Sequence, residues 1–422
     1  MASRHFLFFL FPILCWTGCR DPAPVEAALP LVTGPWRMEL DLDSTTGHVP
    51  LPFTFDLGHE GGAWSITIHN QLERIQVDSI VLEGDSIRIR MPFFDSEFRG
   101  VIAGDSAFNG LWTNHYKGLG YAIPFMARAG GQPRFLGQDS RPPAAISGDW
   151  EVHFNGPDGE EPAIGIFRTE GQQVTGSFAT ETGDLRFLEG RVSSDSLWLS
   201  TFNGFQAYLF RAAIRGDSLI GEFRSGHRYR QPWHGVRNPD FKLADDETAT
   251  QLDPAHPFAF AFPGLDGRVH RHTDPEFAGK VLVVEVMGTW CPNCLDEARM
   301  LQEFQALYGQ DGLRVVGLGF ERFPDRERSL AALKRFRDGV GISYQLLYAG
   351  AARGDTVEAK LPFIEEFKSY PTTFLVARDG TVRHIYTGIY GPSTGDRYLR
   401  FRERMQNAIQ DLLREAPPKA QS

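Results

Sequence analysis

Two cysteines three positions apart, Cys291 and Cys294, stand in the stretch VLVVEVMGTWCPNCLDE, Val281 to Glu297. The chain has four cysteines in 422 residues, and the other two, Cys15 and Cys19, lie in an apolar N-terminus. CxxC spacing between a buried strand and a helix is a specific signal for redox chemistry. One thiolate attacks a partner's disulfide and the second resolves the mixed disulfide that forms. Structural zinc would need a second Cys or His pair, but the nearby His270 and His272 share one short stretch. Haem attachment would need His after the second cysteine, where Leu295 stands. A permanent disulfide here would close a tiny loop and constrain little. Neither a cofactor nor a metal is expected.

The flanking pattern says how the pair is held. KVLVVEVM, Lys280 to Met287, is an unbroken β-branched run of the kind a buried central strand requires. Pro292 fits the first turn of a helix, which Ala298, Leu301, Phe304 and Tyr308 continue and Gly309 closes. Cys291 then faces the free N–H groups and positive end of that helix, a setting that favours thiolate over thiol. Cys294 falls one turn further in, buried. GLRVVGLGF predicts a second buried strand and PDRERSLAALKRFRD a helix. YQLLYA reads as a strand, VEAKLPFIEEF as another helix and TTFLVARDGTVRHIYTG as a hairpin turned at Asp379-Gly380. Tyr398, Phe401, Met405, Ile409 and Leu412 stripe a last amphipathic helix.

GTWCPNC, followed downstream by YPTTFLVARDG, resembles the thioredoxin superfamily. The lead-in PFAFAFPGLDGR and the FERFP after the second strand resemble membrane-tethered thiol–disulfide oxidoreductases of the TlpA/ResA type. The resemblance runs from about Asp253 to Glu415, well under half of the chain. It implies a central sheet with flanking helices and a cis peptide before Pro371. It also implies that the loop of Tyr370, Pro371 and Thr372 lies against the cysteines and binds substrate backbone, with Trp290 and Pro292 beside it. Two acids acquire roles in its light. Glu285 interrupts the apolar run six residues before Cys291, where thioredoxins carry a buried acid. Glu321 follows the next parallel strand, and a right-handed crossover brings that strand's end to the same rim as Cys291. A buried carboxylate with a raised pKa can pass protons to and from Cys294.

N-terminal to this lies a repeat. GPWRMEL (Gly34 to Leu40) matches GDWEVHF (Gly148 to Phe154), EGDSIRI matches SSDSLWL, and IAGDSAFNG matches IRGDSLIG, in constant order. Period-two alternation between closely spaced turns predicts about eight short strands per copy, enough to close a small barrel. Two tandem lipocalin-like or avidin-like meanders or barrels are expected; one larger barrel built from both copies is the competitor. Trp36, Trp112, Trp150 and Trp198 read as barrel core or rim, and the scattered His69, His115, His227 and His234 form no constellation. The fold class is therefore multidomain: two all-β repeats followed by an α/β thioredoxin-like domain. The expected divisions are 1–18 signal peptide, 19–30 tether, 31–130 first repeat, 131–144 linker, 145–238 second repeat, 239–256 linker, 257–415 thioredoxin-like domain and 416–422 tail.

A net charge of −10 excludes nucleic acid as a default partner. The apolar run Phe6 to Trp16 behind Arg4 is too short to span a bilayer. It ends in WTGC, which resembles a bacterial lipobox with Trp16 in place of the usual Leu. The resemblance implies cleavage before Cys19, lipidation of Cys19 and attachment to a membrane of the cell envelope, facing the periplasm or the outside. The sequence thus reads as an enzyme, a lipid-anchored thiol–disulfide oxidoreductase, with reduction favoured by family analogy. Its expected partners are protein thiols and disulfides and an upstream dithiol donor, and the chain is expected to be a monomer. The alternative is a β-barrel ligand- or partner-binding lipoprotein whose CxxC domain is a redox switch.

Overall fold

The computed structural model describes residues 31–43, 47–137, 139–157, 159–244, 249–323 and 325–416. Cys19, the signal segment and the tether lie outside the described residues. Nine antiparallel strands, from Gly34–Asp41 to Ala122–Ala129, form the first sheet. Its two edges, Glu73–Val77 and Ser79–Glu83, follow one another across Asp78, so the sheet curls almost onto itself. In the second sheet Gly159–Glu170 pairs with Gln173–Thr180 and closes an eight-stranded ring; Gly183–Asp184 is a short extra strand on the latter.

The two barrels repeat in detail. Trp36 Nε1 donates to Val32 O at 2.8 Å, and Trp150 Nε1 donates to Ile146 O at 2.8 Å. Gly34 and Gly148 both take φ +112°, a left-handed turn that side chains resist. Each barrel has its own aromatic filling, around Trp36, Phe53, Phe98 and Trp112 in the first and around Trp150, Phe178, Phe210 and Trp233 in the second. That separation rules out one larger barrel. Trp198 is half-buried on a wall, not in the filling. The segment between the barrels is more than a spacer. Arg134 is 5% exposed and donates to Ser200 O, Pro52 O and His69 O, which staples both barrels together.

The C-terminal sheet contains β1 (Val281–Met287), β2 (Leu313–Glu321), β3 (Gln345–Ala351), β4 (Thr372–Val376) and β5 (Val382–Thr387), in the order β3-β2-β1-β4-β5. β1, β2 and β3 are parallel, whereas β4 runs antiparallel to β1. Four helices accompany it: α1 (Pro292–Tyr308), α2 (Arg326–Val340), α3 (Gly354–Lys360) and α4 (Asp396–Arg414). β1 is buried at every position, as its unbroken apolar run requires. The expected third helix is shorter than its pattern. It stops at Lys360 because Pro362 follows, and Ile364–Glu366 becomes a short strand paired with Gln251–Leu252. Among the described residues no helix is long and apolar enough to cross a membrane.

Candidate active site

The turn from β1 into α1 carries both cysteines. Gly288 sets it up: a Cβ there would collide with Trp290 Nε1 and fall 2.9 Å from Phe320 O. Cys291 is the N-cap of α1 in extended conformation, and its sulfur accepts the N–H of Cys294 at 3.3 Å. Pro292 occupies the first helical turn, where its missing N–H costs nothing. Both thiols are free; Cys291 is 6% exposed and Cys294 fully buried. The Tyr370–Pro371 peptide is cis, and the Cys291 thiol donates to Tyr370 O at 3.6 Å. Thr372 begins β4 opposite Val286 of β1, which fixes that loop beside the cysteine turn. Trp290 donates from Nε1 to Phe320 O at 3.0 Å, edges against Tyr370 and lies under the Arg322 guanidinium, 3.7 Å from the ring centre. The structure thus brings Trp290, Cys291, Pro292, Cys294, Tyr370, Pro371 and Thr372 to one place.

Both expected acids are there too. Glu285 lies beneath the pair, and among the described residues neither carboxylate oxygen has a hydrogen-bond partner. Burial first, then the charges of Glu297 and Cys291, push its pKa well up. Burial also raises the Cys294 thiol, helped by its contacts with Cys291 and Glu285. Glu321 is 1% exposed at the end of β2. Its two oxygens accept Thr289 N at 3.0 Å and Thr289 Oγ1 at 2.8 Å. Burial raises it to about 7 against those hydrogen bonds.

Sequence reasoning missed a third acid. Glu297 is fully buried on α1, and burial raises it to about 8. The Thr373 hydroxyl lies beside it without hydrogen-bonding geometry. The available signal was position: Glu297 falls three residues after Cys294 and four before Leu301, on the stripe that faces the sheet.

The barrels complete the site, which no periodicity announced. Arg186 of the second barrel, 2% exposed, donates to Pro292 O at 3.3 Å and pairs with Asp296 of α1 and with Glu73 of the first barrel. Asn293 Nδ2 donates to Asp184 O at 3.3 Å, and Asp184 accepts Gly391 N at 2.7 Å and the Ser393 hydroxyl. Phe205 of the second barrel lies 6.2 Å from Trp290, and Tyr116 of the first reaches Thr289 Oγ1 at 3.4 Å. Elsewhere, His270 is held on both ring nitrogens, by Glu276 at 2.7 Å and Asp266 at 3.1 Å, away from the cysteines.

Residues 237–397 match the Redoxin family. The chain is 26% identical over 143 residues to the thiol-disulfide oxidoreductase ResA of Geobacillus thermodenitrificans, covering 34% of this chain and 73% of that one. It is 26% identical over 122 residues to the thiol:disulfide interchange protein DsbE of Escherichia coli, covering 29% and 57%. A crystal structure of a thioredoxin-family thiol:disulfide interchange protein from Chlorobium tepidum aligns with 40% of this chain and 99% of its own, at 19% identity and a TM-score of 0.29. With a cysteine turn, a proline loop against it and a mixed sheet in place, residues 237–397 form a thioredoxin-like domain that matches the Redoxin family and is similar to thiol–disulfide oxidoreductases.

Proposed function

We propose that the chain is an extracytoplasmic, lipid-anchored enzyme that reduces disulfides by exchange through the Cys291–Cys294 dithiol. The observation that carries this is the position of Cys291: an N-cap sulfur, 3.6 Å from the carbonyl that precedes the cis-proline. Cys291 attacks one sulfur of the substrate disulfide. A Cys291–substrate disulfide forms and one substrate thiolate leaves. Cys294, deprotonated by a neighbouring carboxylate, then attacks Cys291 Sγ and releases the second thiolate. Tyr370, Pro371 and Thr372 align the substrate backbone, and Trp290 and Pro292 form the rim. Glu285, from beneath, and Glu321, from the end of β2, supply the proton acceptors. The reading of the barrels as a ligand-binding module with a redox switch is disfavoured, because aromatic side chains fill both interiors.

Reduced full-length protein should transfer two electrons to a disulfide in a single turnover, and Cys291→Ser should abolish the transfer. Undiminished transfer by Cys291→Ser would overturn the reading. Direction is read from the potential of the pair, expected nearer the roughly −270 mV of a reductant than the roughly −120 mV of an oxidant. Anchoring is read from fatty-acid labelling that disappears in Cys19→Ala.

A further inference from the structure

A cleft of about 350 Å³ opens where the two barrels meet, with Lys117, Tyr121, Leu185, Tyr208 and Arg228 among its walls. The Lys117 ammonium stands 5.0 Å from the centre of the Phe205 ring. Arg322 stands 5.7 Å from the same ring and 3.7 Å from Trp290, the residue before Cys291. Arg228 lies 5.0 Å from the Tyr121 ring and donates to Lys117 O at 3.4 Å. Among the described residues, none of these three cations is paired with a carboxylate. They rest on aromatic faces, which hold a cation without neutralising it. Burial and the charge of Arg322 lower Lys117 to about 8, as crowded cations lacking an anion should show.

The cleft connects to the cysteine turn through Phe205: its ring carries Lys117 from the cleft wall on one side and Arg322 on the other, and lies 6.2 Å from Trp290, the residue before Cys291. Cys291 itself is 6% exposed, against Tyr370 O and beside Trp290, on which Tyr370 and Phe205 pack. A sulfur so enclosed favours a narrow disulfide or an extended segment over a broad, flat surface.

We infer that this cleft binds a small disulfide carrying carboxylates and presents it to Cys291, with Lys117, Arg228 and Arg322 as the anion-recognising groups. The inference rests on the proposed exchange activity and names its substrate class. The thiolate of Cys291 displaces one carboxylate-bearing thiolate and forms a mixed disulfide. Cys294 displaces the other and closes the Cys291–Cys294 disulfide. Two electrons pass from the dithiol to the substrate, and the two thiol protons of the pair end on the two product thiols or in solvent.

The test is single-turnover reduction by the reduced full-length chain of three disulfides of similar size. These are dithiodipropionate with two carboxylates, hydroxyethyl disulfide with none, and cystamine with two ammonium groups. Each rate is divided by the rate of the same disulfide with dithiothreitol, which cancels intrinsic reactivity. The wild type should prefer dithiodipropionate over hydroxyethyl disulfide by roughly tenfold or more and disfavour cystamine, and added salt should compress the order. Lys117→Met and Arg322→Met should each cut the carboxylate preference by roughly tenfold, the scale of one charge-assisted contact, while Lys117→Arg retains it. Reduction of all three without charge preference, or a preference unmoved in both Met variants, overturns the inference and leaves the exchange reading standing. Reduction of none of the three contradicts the exchange reading and removes the inference with it.

Discussion

Three buried carboxylates lie in the domain that carries the cysteines, and their environments differ. Glu321 is held by two hydrogen bonds from Thr289 and titrates near 7. On the proposed mechanism it accepts the proton of Cys294 above that value, where it is ionised, and not below it. Glu321→Gln should therefore slow resolution by roughly ten- to a thousand-fold and remove the fall in rate expected of the wild type as pH drops through about 7. Stopped-flow pH–rate profiles check this; unchanged profiles in both Glu321→Gln and Glu285→Gln would remove the glutamates from the proton path. Glu297 makes a different prediction. In the folded chain it titrates near 8, far above an ordinary glutamate. A raised folded pKa means stability that is full below the unfolded value and is lost as pH rises toward the folded one. Glu297→Gln should thus stabilise the protein on the order of 3 kcal/mol at about pH 9 and little at about pH 4, measured by denaturant unfolding. Glu285 was legible because an acid inside a β-branched run breaks a strong pattern. Glu297 was not, because helical acids are usually solvated and only the register of α1 turns this one inward.

At the scale of elements, α1 does two jobs. Its N-terminus presents Cys291, and its first turn is gripped by the second barrel through Arg186, Asp184 and Asn293. Asp296 is buried with Arg186 and titrates near 6, raised by burial against the pull of that arginine. Arg186→Met would leave Asp296 and Glu73 without their shared cation, a loss on the order of 3–5 kcal/mol when a buried pair is broken from one side. The barrel should loosen from α1, and Cys291 should alkylate faster with iodoacetamide than in the wild type. An unchanged alkylation rate in a correctly folded Arg186→Met protein would show that this clasp does not enclose the cysteine. The strand–turn–helix frame was readable from β-branched runs, Pro292 and the Asp379-Gly380 turn. The clasp was not, since Arg186 sits in a loop whose local sequence carries no period and whose partner is 110 positions away.

At the scale of the molecule, the repeated GDS turns and tryptophans revealed two barrels, and the structure adds how unequal they are. The second ring closes by hydrogen bonds, whereas the first leaves its edges joined only through Asp78. The first core also borrows Phe202 from the second repeat, which stacks on Phe53 at 4.5 Å and edges against Trp112 at 5.0 Å. Segment 145–238 should accordingly fold alone with strand-rich circular dichroism, and segment 31–130 should be markedly less stable alone than beside its neighbour. Phe202→Ala in the full chain should cost roughly 3–5 kcal/mol, felt in the first barrel more than the second. Equal stability of the two isolated segments would contradict this dependence. The borrowing is invisible in sequence, because Phe202 obeys the same alternation as residues that stay within their own barrel. In the proposed exchange Cys291 is the attacking sulfur and Cys294 the one that releases substrate. The most direct measurement is mass spectrometry of the full-length Cys294→Ala protein after exposure to a disulfide substrate. A stable mixed disulfide mapped to Cys291 is the predicted result; no adduct at Cys291, or turnover that continues without Cys294, would contradict it.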